Sequence, residues 1–81
     1  MSGDVMFKVR NYVSDMLDGI YGFLFQDYDL KIEEFTRTGE GYRVEGRFSL
    51  IFDGRYRFTM TLDENGRLTT FSRSLVEKTP F

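Results

Sequence analysis

The fold is decided by residues 42–62, which read YRVEGRFSLIFDGRYRFTMTL. Apolar side chains take almost every second position, and Phe52-Asp53-Gly54 interrupts the alternation once. A period of two is typical of a β-strand with one buried face, so this stretch predicts two antiparallel strands joined by a turn. The positions expected on the buried face are Tyr42, Val44, Phe48, Leu50, Tyr56, Phe58, Met60 and Leu62.

The turn between these strands has two interpretations. A two-residue loop at 53–54 suits a type I′ turn, but it would send Leu50 and Tyr56 to opposite faces of the sheet. A three-residue loop at 52–54, with Gly54 in the left-handed conformation, pairs Leu50 with Tyr56 and keeps both on the buried face. Because register follows the buried face, we expect the three-residue loop.

The following turn repeats this design. Residues 63–66 read Asp-Glu-Asn-Gly, which favours a type I turn with Gly66 left-handed and Leu62 opposite Leu68. A fourth strand then follows over about 67–74.

Upstream, residues 4–24 predict an amphipathic helix, because apolar side chains recur at steps of three and four. Gly19 and Gly22 weaken a helix interior and could end it early. Asp27-Tyr28-Asp29 predicts a turn before a strand at 30–37. The alternation in that strand breaks at Glu33-Glu34, and a β-bulge there would return Phe35 to the buried face.

Together these elements predict an α+β fold, with one N-terminal helix packed on a four-stranded antiparallel meander sheet. A chain of 81 residues is near the lower limit for independent folding, so we expect a single domain at 1–81. The expected helix and strands cover residues 4–24, 30–37, 42–51, 55–62 and 67–74.

The composition argues against several classes of function. The chain has no Cys, no His and a net charge of -2, so thiolate metal sites and a histidine general base are excluded. We therefore expect no catalytic residues, no metal, no cofactor and no enzyme activity. The sequence has neither a signal-peptide pattern nor an apolar run long enough to span a membrane, which predicts a cytoplasmic protein.

A contact surface is predicted on the outer face of the sheet, opposite the helix. Arginine beside an exposed aromatic residue is typical of protein interfaces, and we predict partner-binding roles for Arg43, Arg47, Arg57, Phe71 and Arg73. Counting from Leu68 places Phe71 outward, whereas a bulge at Thr69-Thr70 or a four-residue turn would place it inward, which is the more frequent outcome for a phenylalanine.

The predicted function is that of a small binding module that contacts a partner protein or forms a homodimer. One alternative is single-stranded nucleic-acid binding on the same face, although the acidic net charge disfavours it. Another is transport of an apolar ligand between helix and sheet. The acidic residues Asp27, Asp29, Glu33 and Glu34 lack the spacing of a calcium loop and favour a solvated surface.

Residues 58–73 read FTMTLDENGRLTTFSR. This strand–turn–strand resembles the C-terminal hairpin of the gas vesicle protein O family, with its aromatic-led strand, Asp-x-x-Gly turn, aromatic residue and arginine. It is also similar to a hairpin of PepSY domains, which combine a helix with a meander. The resemblance implies an accessory, non-enzymatic interaction module. After Arg73, however, the basic and aromatic run of the gas vesicle family is replaced by residues 74–77, Ser-Leu-Val-Glu.

Overall fold

A computed structural model describes residues 3–78 of the chain, so the ends of the expected 1–81 domain lie outside the described residues. Helix α1 (Gly3–Tyr21) and a 3-10 turn (Gly22–Leu24) are followed by the four strands of one antiparallel sheet. The strands are β1 (Phe25–Arg37), β2 (Gly41–Leu50), β3 (Gly54–Asp63) and β4 (Leu68–Lys78). Their spatial order is β1-β2-β3-β4. The predicted α+β meander is confirmed.

Helix α1 buries one side against the sheet and is also hydrogen-bonded to the turn that follows β3. Val13 and Leu17 are fully buried in the core, whereas the Tyr12 hydroxyl donates to the backbone oxygen of Gly66 beyond β3. The helix ends three residues earlier than expected. It ends at Tyr21 because Gly22 has φ +63, a left-handed conformation that glycine adopts without strain.

The core lies on the inner face of the sheet, which we define as the face toward α1. All eight inner positions predicted from the alternation at 42–62 lie on this face, and seven of them are buried. Tyr42, the eighth, is half-buried and packs against the core cluster. Fully buried side chains of β2 and β3 meet Val13 and Leu17 of the helix; they are Val44, Phe48, Phe58 and Met60.

Strand β1 starts five residues earlier than predicted, and the turn expected at 27–29 is wrong. Gln26 lies opposite Ser49 and Lys31 opposite Arg47, so four residues of β1 face one residue of β2 in a wide irregularity. The physical reason is a tertiary contact, because Asp27 is hydrogen-bonded to helix α1. Its backbone oxygen accepts from Arg10 at 2.6 Å, and its carboxylate accepts from the Ser14 hydroxyl.

The bulge predicted in β1 is confirmed. Ile32 pairs with Gly46 and Glu34 pairs with Glu45, which leaves Glu33 as the extra residue. Phe35 is thereby returned to the inner face, where it packs against the core cluster.

The register predicted for the β2–β3 hairpin is wrong by two residues. The loop contains three residues, as expected, but they are 51–53, and Leu50 lies opposite Gly54 instead of Tyr56. Phe52 takes the left-handed conformation, with φ +65, instead of Gly54. A shift of two leaves every side chain on its predicted face, so Leu50 and Tyr56 are both buried as expected.

The β3–β4 hairpin forms as predicted. Gly66 has φ +85, Leu62 pairs with Leu68, and the Asp63 carboxylate accepts hydrogen bonds of 2.9 Å from the backbone of Asn65 and Arg67. Beyond this turn β4 continues to Lys78, four residues past the predicted end at 74.

Candidate interaction surface

The outer face of the sheet, away from α1, carries most of the predicted arginines. Arg43 pairs with Glu45 at 2.8 Å, Arg47 with Glu33 at 3.1 Å, and all these groups are substantially exposed. Solvent-exposed ion pairs contribute little to stability. Arg57, the third predicted contact residue on this face, lies directly opposite Arg47, an unfavourable juxtaposition of like charges.

Phe71 lies on the inner face, as the alternative with a bulge at Thr69-Thr70 predicted, and not on the outer face with the predicted arginines. It pairs with Met60 because Thr69 is an extra residue between the pairs Leu62–Leu68 and Thr61–Thr70. The Thr69 hydroxyl donates to the backbone oxygen of Thr61 at 3.0 Å, which supports this bulge. The inward alternative for Phe71 is therefore the one observed.

The ring of Phe71 is half-buried at the rim of the core. Its centroid lies 6.3 Å from that of Phe58, 6.4 Å from Tyr21 and 6.5 Å from Phe48. These distances fall within the range of favourable aromatic pairs. One side of the ring thus contributes to folding while the rest stays accessible.

Arg73 also lies on the inner face, where it is paired with Phe58 of β3. Its guanidinium carbon lies 4.3 Å from the ring centroid of Tyr56 and 5.5 Å from that of Tyr21, in cation–π geometry. The five predicted contact residues are therefore divided between two faces. Arg43, Arg47 and Arg57 are on the outer face, and Phe71 and Arg73 are on the inner face.

The hydroxyl of Tyr56, beneath Arg73, donates to the Asp53 carboxylate at 2.8 Å. This hydrogen bond and then burial raise the pKa of Tyr56 above its ordinary value of about 10, while the positive charge of Arg73 opposes the shift. The neutral phenol is thus the form that the folded protein prefers.

This raised pKa predicts a loss of stability at alkaline pH. The contribution of Tyr56 is fully present below about pH 10 and is lost as the pH rises through the raised folded value. Chemical unfolding at several pH values should show a steeper alkaline decline for the natural protein than for Tyr56→Phe. The other four tyrosines are present in both proteins, so an identical decline in the two would contradict the assignment.

Strand β4 forms one edge of the sheet and is exposed over nearly all its length. Among the described residues it pairs with β3 alone, and of its eleven residues only Phe71 is half-buried. Helix α1 packs on the inner face closer to the other edge of the sheet, against β1. Leu75 and Val76 near the end of β4 are 51% and 48% exposed.

The sequence prediction did not include these two apolar side chains, because the fourth strand was predicted to end at about residue 74. The signal for them was present, since Leu75-Val76 continues the strand-forming composition of residues 68–74.

The backbone of β4 also presents hydrogen-bonding groups to solvent. Asp63 donates its N–H to the backbone oxygen of Arg67, so Asp63 directs its polar groups toward β4. Strand β3 has no register shift against β2, and bonding direction alternates along an antiparallel strand. Arg57, Thr59 and Thr61 therefore face β4 as well. Their partners in β4 face back, which leaves Phe71, Arg73 and Leu75 with N–H and C=O groups directed away from the sheet.

Within residues 3–78, no three acidic, His or Cys side chains cluster as a metal site would require. In the same part of the chain, no helix has the length and apolar character needed to cross a membrane.

No protein family, curated protein or solved structure matches the chain.

Proposed function

We propose that this protein is a small, non-enzymatic, cytosolic binding module that acts through protein–protein contact or self-association at the β4 side of its sheet. The observation that carries the proposal is an eleven-residue edge strand with exposed apolar side chains and outward-directed backbone groups. Such an edge is a template for pairing with another strand. The absence of cysteine fits a reducing compartment.

The side chains beside this edge have interface chemistry. On the inner face Phe71, Arg73 and Leu75 form an aromatic, cationic and aliphatic row at alternate positions of β4. Aromatic residues and arginine are enriched at protein interfaces. Arg73 is the one charged residue between Leu68 and Val76, so little charge repels an incoming apolar strand.

The two alternative functions have weaker support. Single-stranded nucleic-acid binding needs aromatic rings beside the cations, but Phe71 lies on the opposite face from Arg43, Arg47 and Arg57. Transport of an apolar ligand needs space between helix and sheet, where Phe48 and its neighbours pack. The accessory-module role implied by the likeness of residues 58–73 to gas vesicle and PepSY hairpins stays a prediction in line with our proposal.

Site-specific photo-crosslinking tests the proposal. We expect a benzoylphenylalanine probe at Leu75 to give a covalent product with a second polypeptide, either another copy or a different protein identified by mass spectrometry. The matched control is the same probe at Asp15, which is also exposed but lies on helix α1. Several-fold more product from position 75 is the expected result. Equal yields from the two positions, or no product from position 75, would exclude β4 as the contact surface.

A further inference from the structure

We infer that the strand that pairs with the β4 edge is β4 of a second copy, antiparallel to the first and related to it by a twofold axis at Ser72. This inference rests on the proposed function and names its partner. The two sheets would join into one sheet of eight strands, with both helices on the same side. Because the twofold uses the same edge of both copies, the assembly closes as a dimer.

The direction of the backbone groups permits this pairing. With the axis at Ser72, Phe71 of one copy lies opposite Arg73 of the other. Both residues direct their N–H and C=O groups away from β3, as derived above from the Asp63–Arg67 hydrogen bond. The two residues can therefore exchange both backbone hydrogen bonds, as a hydrogen-bonded antiparallel pair does, and the symmetry repeats the pair on the other side of the axis.

The side chains at the centre are self-complementary. Phe71 and Arg73 share the inner face, so Arg73 of one copy lies opposite Phe71 of the other. A cation–π pair between the copies requires the guanidinium to turn away from the Tyr56 ring, which lies 4.3 Å from it within the single chain. On the outer face, Ser72 meets its own counterpart and Thr70 meets Ser74, which places small hydroxyl side chains together. The central segment 70–75 is free of register shifts, which occur at Thr69 and Val76 on either side.

The charges at the ends fix the register. With the axis at Ser72, Arg67 of each copy lies opposite Glu77 of the other, which gives two ion pairs. An axis at Arg73 would set Arg73 against its own counterpart, and like charges directly opposite are destabilising. An axis at Phe71 would set Arg67 against Leu75 and lose both ion pairs. Of these three registers, the one centred on Ser72 has complementary charges.

The other edge of the sheet is poorly suited to self-pairing. Strand β1 carries the acidic residues Asp27, Asp29, Glu33 and Glu34, and its ladder contains the wide irregularity in which four residues face one residue of β2. Charges and bulges on an edge strand discourage edge-to-edge association. Strand β4, with fewer charges, is the edge that a second copy would use.

Charge reversal tests both the dimer and its register. Analytical ultracentrifugation at low salt should show that the natural protein dimerises as its concentration is raised toward about 1 mM, the range of weak association. Arg67→Glu alone, or Glu77→Arg alone, places like charges at both ends of the interface. We expect each variant to weaken dimerisation about tenfold, since two exposed ion pairs change from attraction to repulsion.

An equimolar mixture of the two variants is the decisive control. In the mixed dimer every position 67 again lies opposite a position 77 of opposite charge, so affinity should return to that of the natural protein. Within each chain Glu77 also pairs with Arg55 at 3.8 Å, but mixing leaves that contact unchanged. Restoration in the mixture therefore reports on the contact between copies, and chemical unfolding of each variant shows whether it folds.

Three results would overturn the inference. They are a natural protein that stays monomeric at about 1 mM, single variants that dimerise as well as the natural protein, and a mixture that fails to recover affinity. If the protein is monomeric while the probe at Leu75 still crosslinks to a different protein, the second copy is excluded and the proposed function survives. If the probe also gives no product, both are excluded.

Discussion

Replacing Phe48 with Ala is expected to lower the free energy of unfolding by about 4 kcal/mol, the cost of removing a large buried ring and leaving a cavity. Phe48 is 1% exposed and is the common neighbour of five aromatic rings. The centroid of the Phe48 ring lies 5.5–6.5 Å from those of Tyr21, Phe25, Tyr56, Phe58 and Phe71.

This cost is large beside the total stability of so small a domain. At 0.05–0.15 kcal/mol per residue, a chain of 81 residues has roughly 4–12 kcal/mol of stability. Phe48→Ala should therefore lose between about one third and all of the stability of the natural protein, as measured by circular dichroism during urea titration. The substitution should also disturb the proposed contact surface on β4, because the Phe71 ring packs against Phe48.

Phe23→Ala is the matched control, since it makes the same chemical change at a side chain that is 83% exposed. Its effect should stay within about 0.5 kcal/mol, as is usual for surface substitutions. Equal losses of stability from the two substitutions would mean that Phe48 does not hold the centre of the core.

The inner face of the sheet could be predicted from the sequence, and the turn register could not. A buried face constrains each position only to one of two sides, so a shift by two residues changes the pairing without any penalty from burial. This is why Leu50 is correctly buried although it lies opposite Gly54 instead of Tyr56.

Gly54 misled the turn prediction because it serves a different purpose. A Cβ built on Gly54 would lie 2.4 Å from the backbone oxygen of Glu77, so this glycine allows β4 to approach β3 closely. The left-handed turn conformation falls on Phe52 instead. A single sequence does not distinguish a glycine that adopts a left-handed turn conformation from a glycine that allows a neighbouring strand to approach closely.

The candidate site was predicted only in part, for a related reason. Arg43, Arg47 and Arg57 are on the predicted face because β2 and β3 alternate without a bulge. Phe71 and Arg73 are on the other face because the single extra residue Thr69 reverses the alternation of β4. A bulge has no clear signal in the amino-acid composition. For residues that follow a bulge, the alternation of the sequence therefore does not show which face of the sheet they occupy.

The turn expected at 27–29 was wrong because long-range contacts override local preference there. Asp27 has turn-forming character, but its bonds to Arg10 and Ser14 hold this part of β1 against the helix. Partners 13 and 17 residues away cannot be found by a local sequence pattern.

Gly46→Ala should cost about 3 kcal/mol, the upper range for adding atoms to a packed interior. A Cβ at Gly46 would lie 2.1 Å from the backbone oxygen of Lys31 and 3.0 Å from the Phe58 ring. Gly46 pairs with Ile32, immediately before the bulge at Glu33. Because the nearest obstacle is backbone, relief requires β1 to move away from β2, and turning a side chain is not enough.

The comparison of three glycine variants by chemical unfolding isolates this close approach. Gly39→Ala is the neutral control, since a Cβ there meets nothing within 4 Å. Gly19→Ala, also unobstructed and inside α1, should stabilise the protein by about 0.5–1 kcal/mol through helix propensity. If Gly46→Ala unfolded at the same denaturant concentration as Gly39→Ala, the β1 backbone could not lie against Gly46, and the close pairing of Gly46 with Ile32 would be wrong.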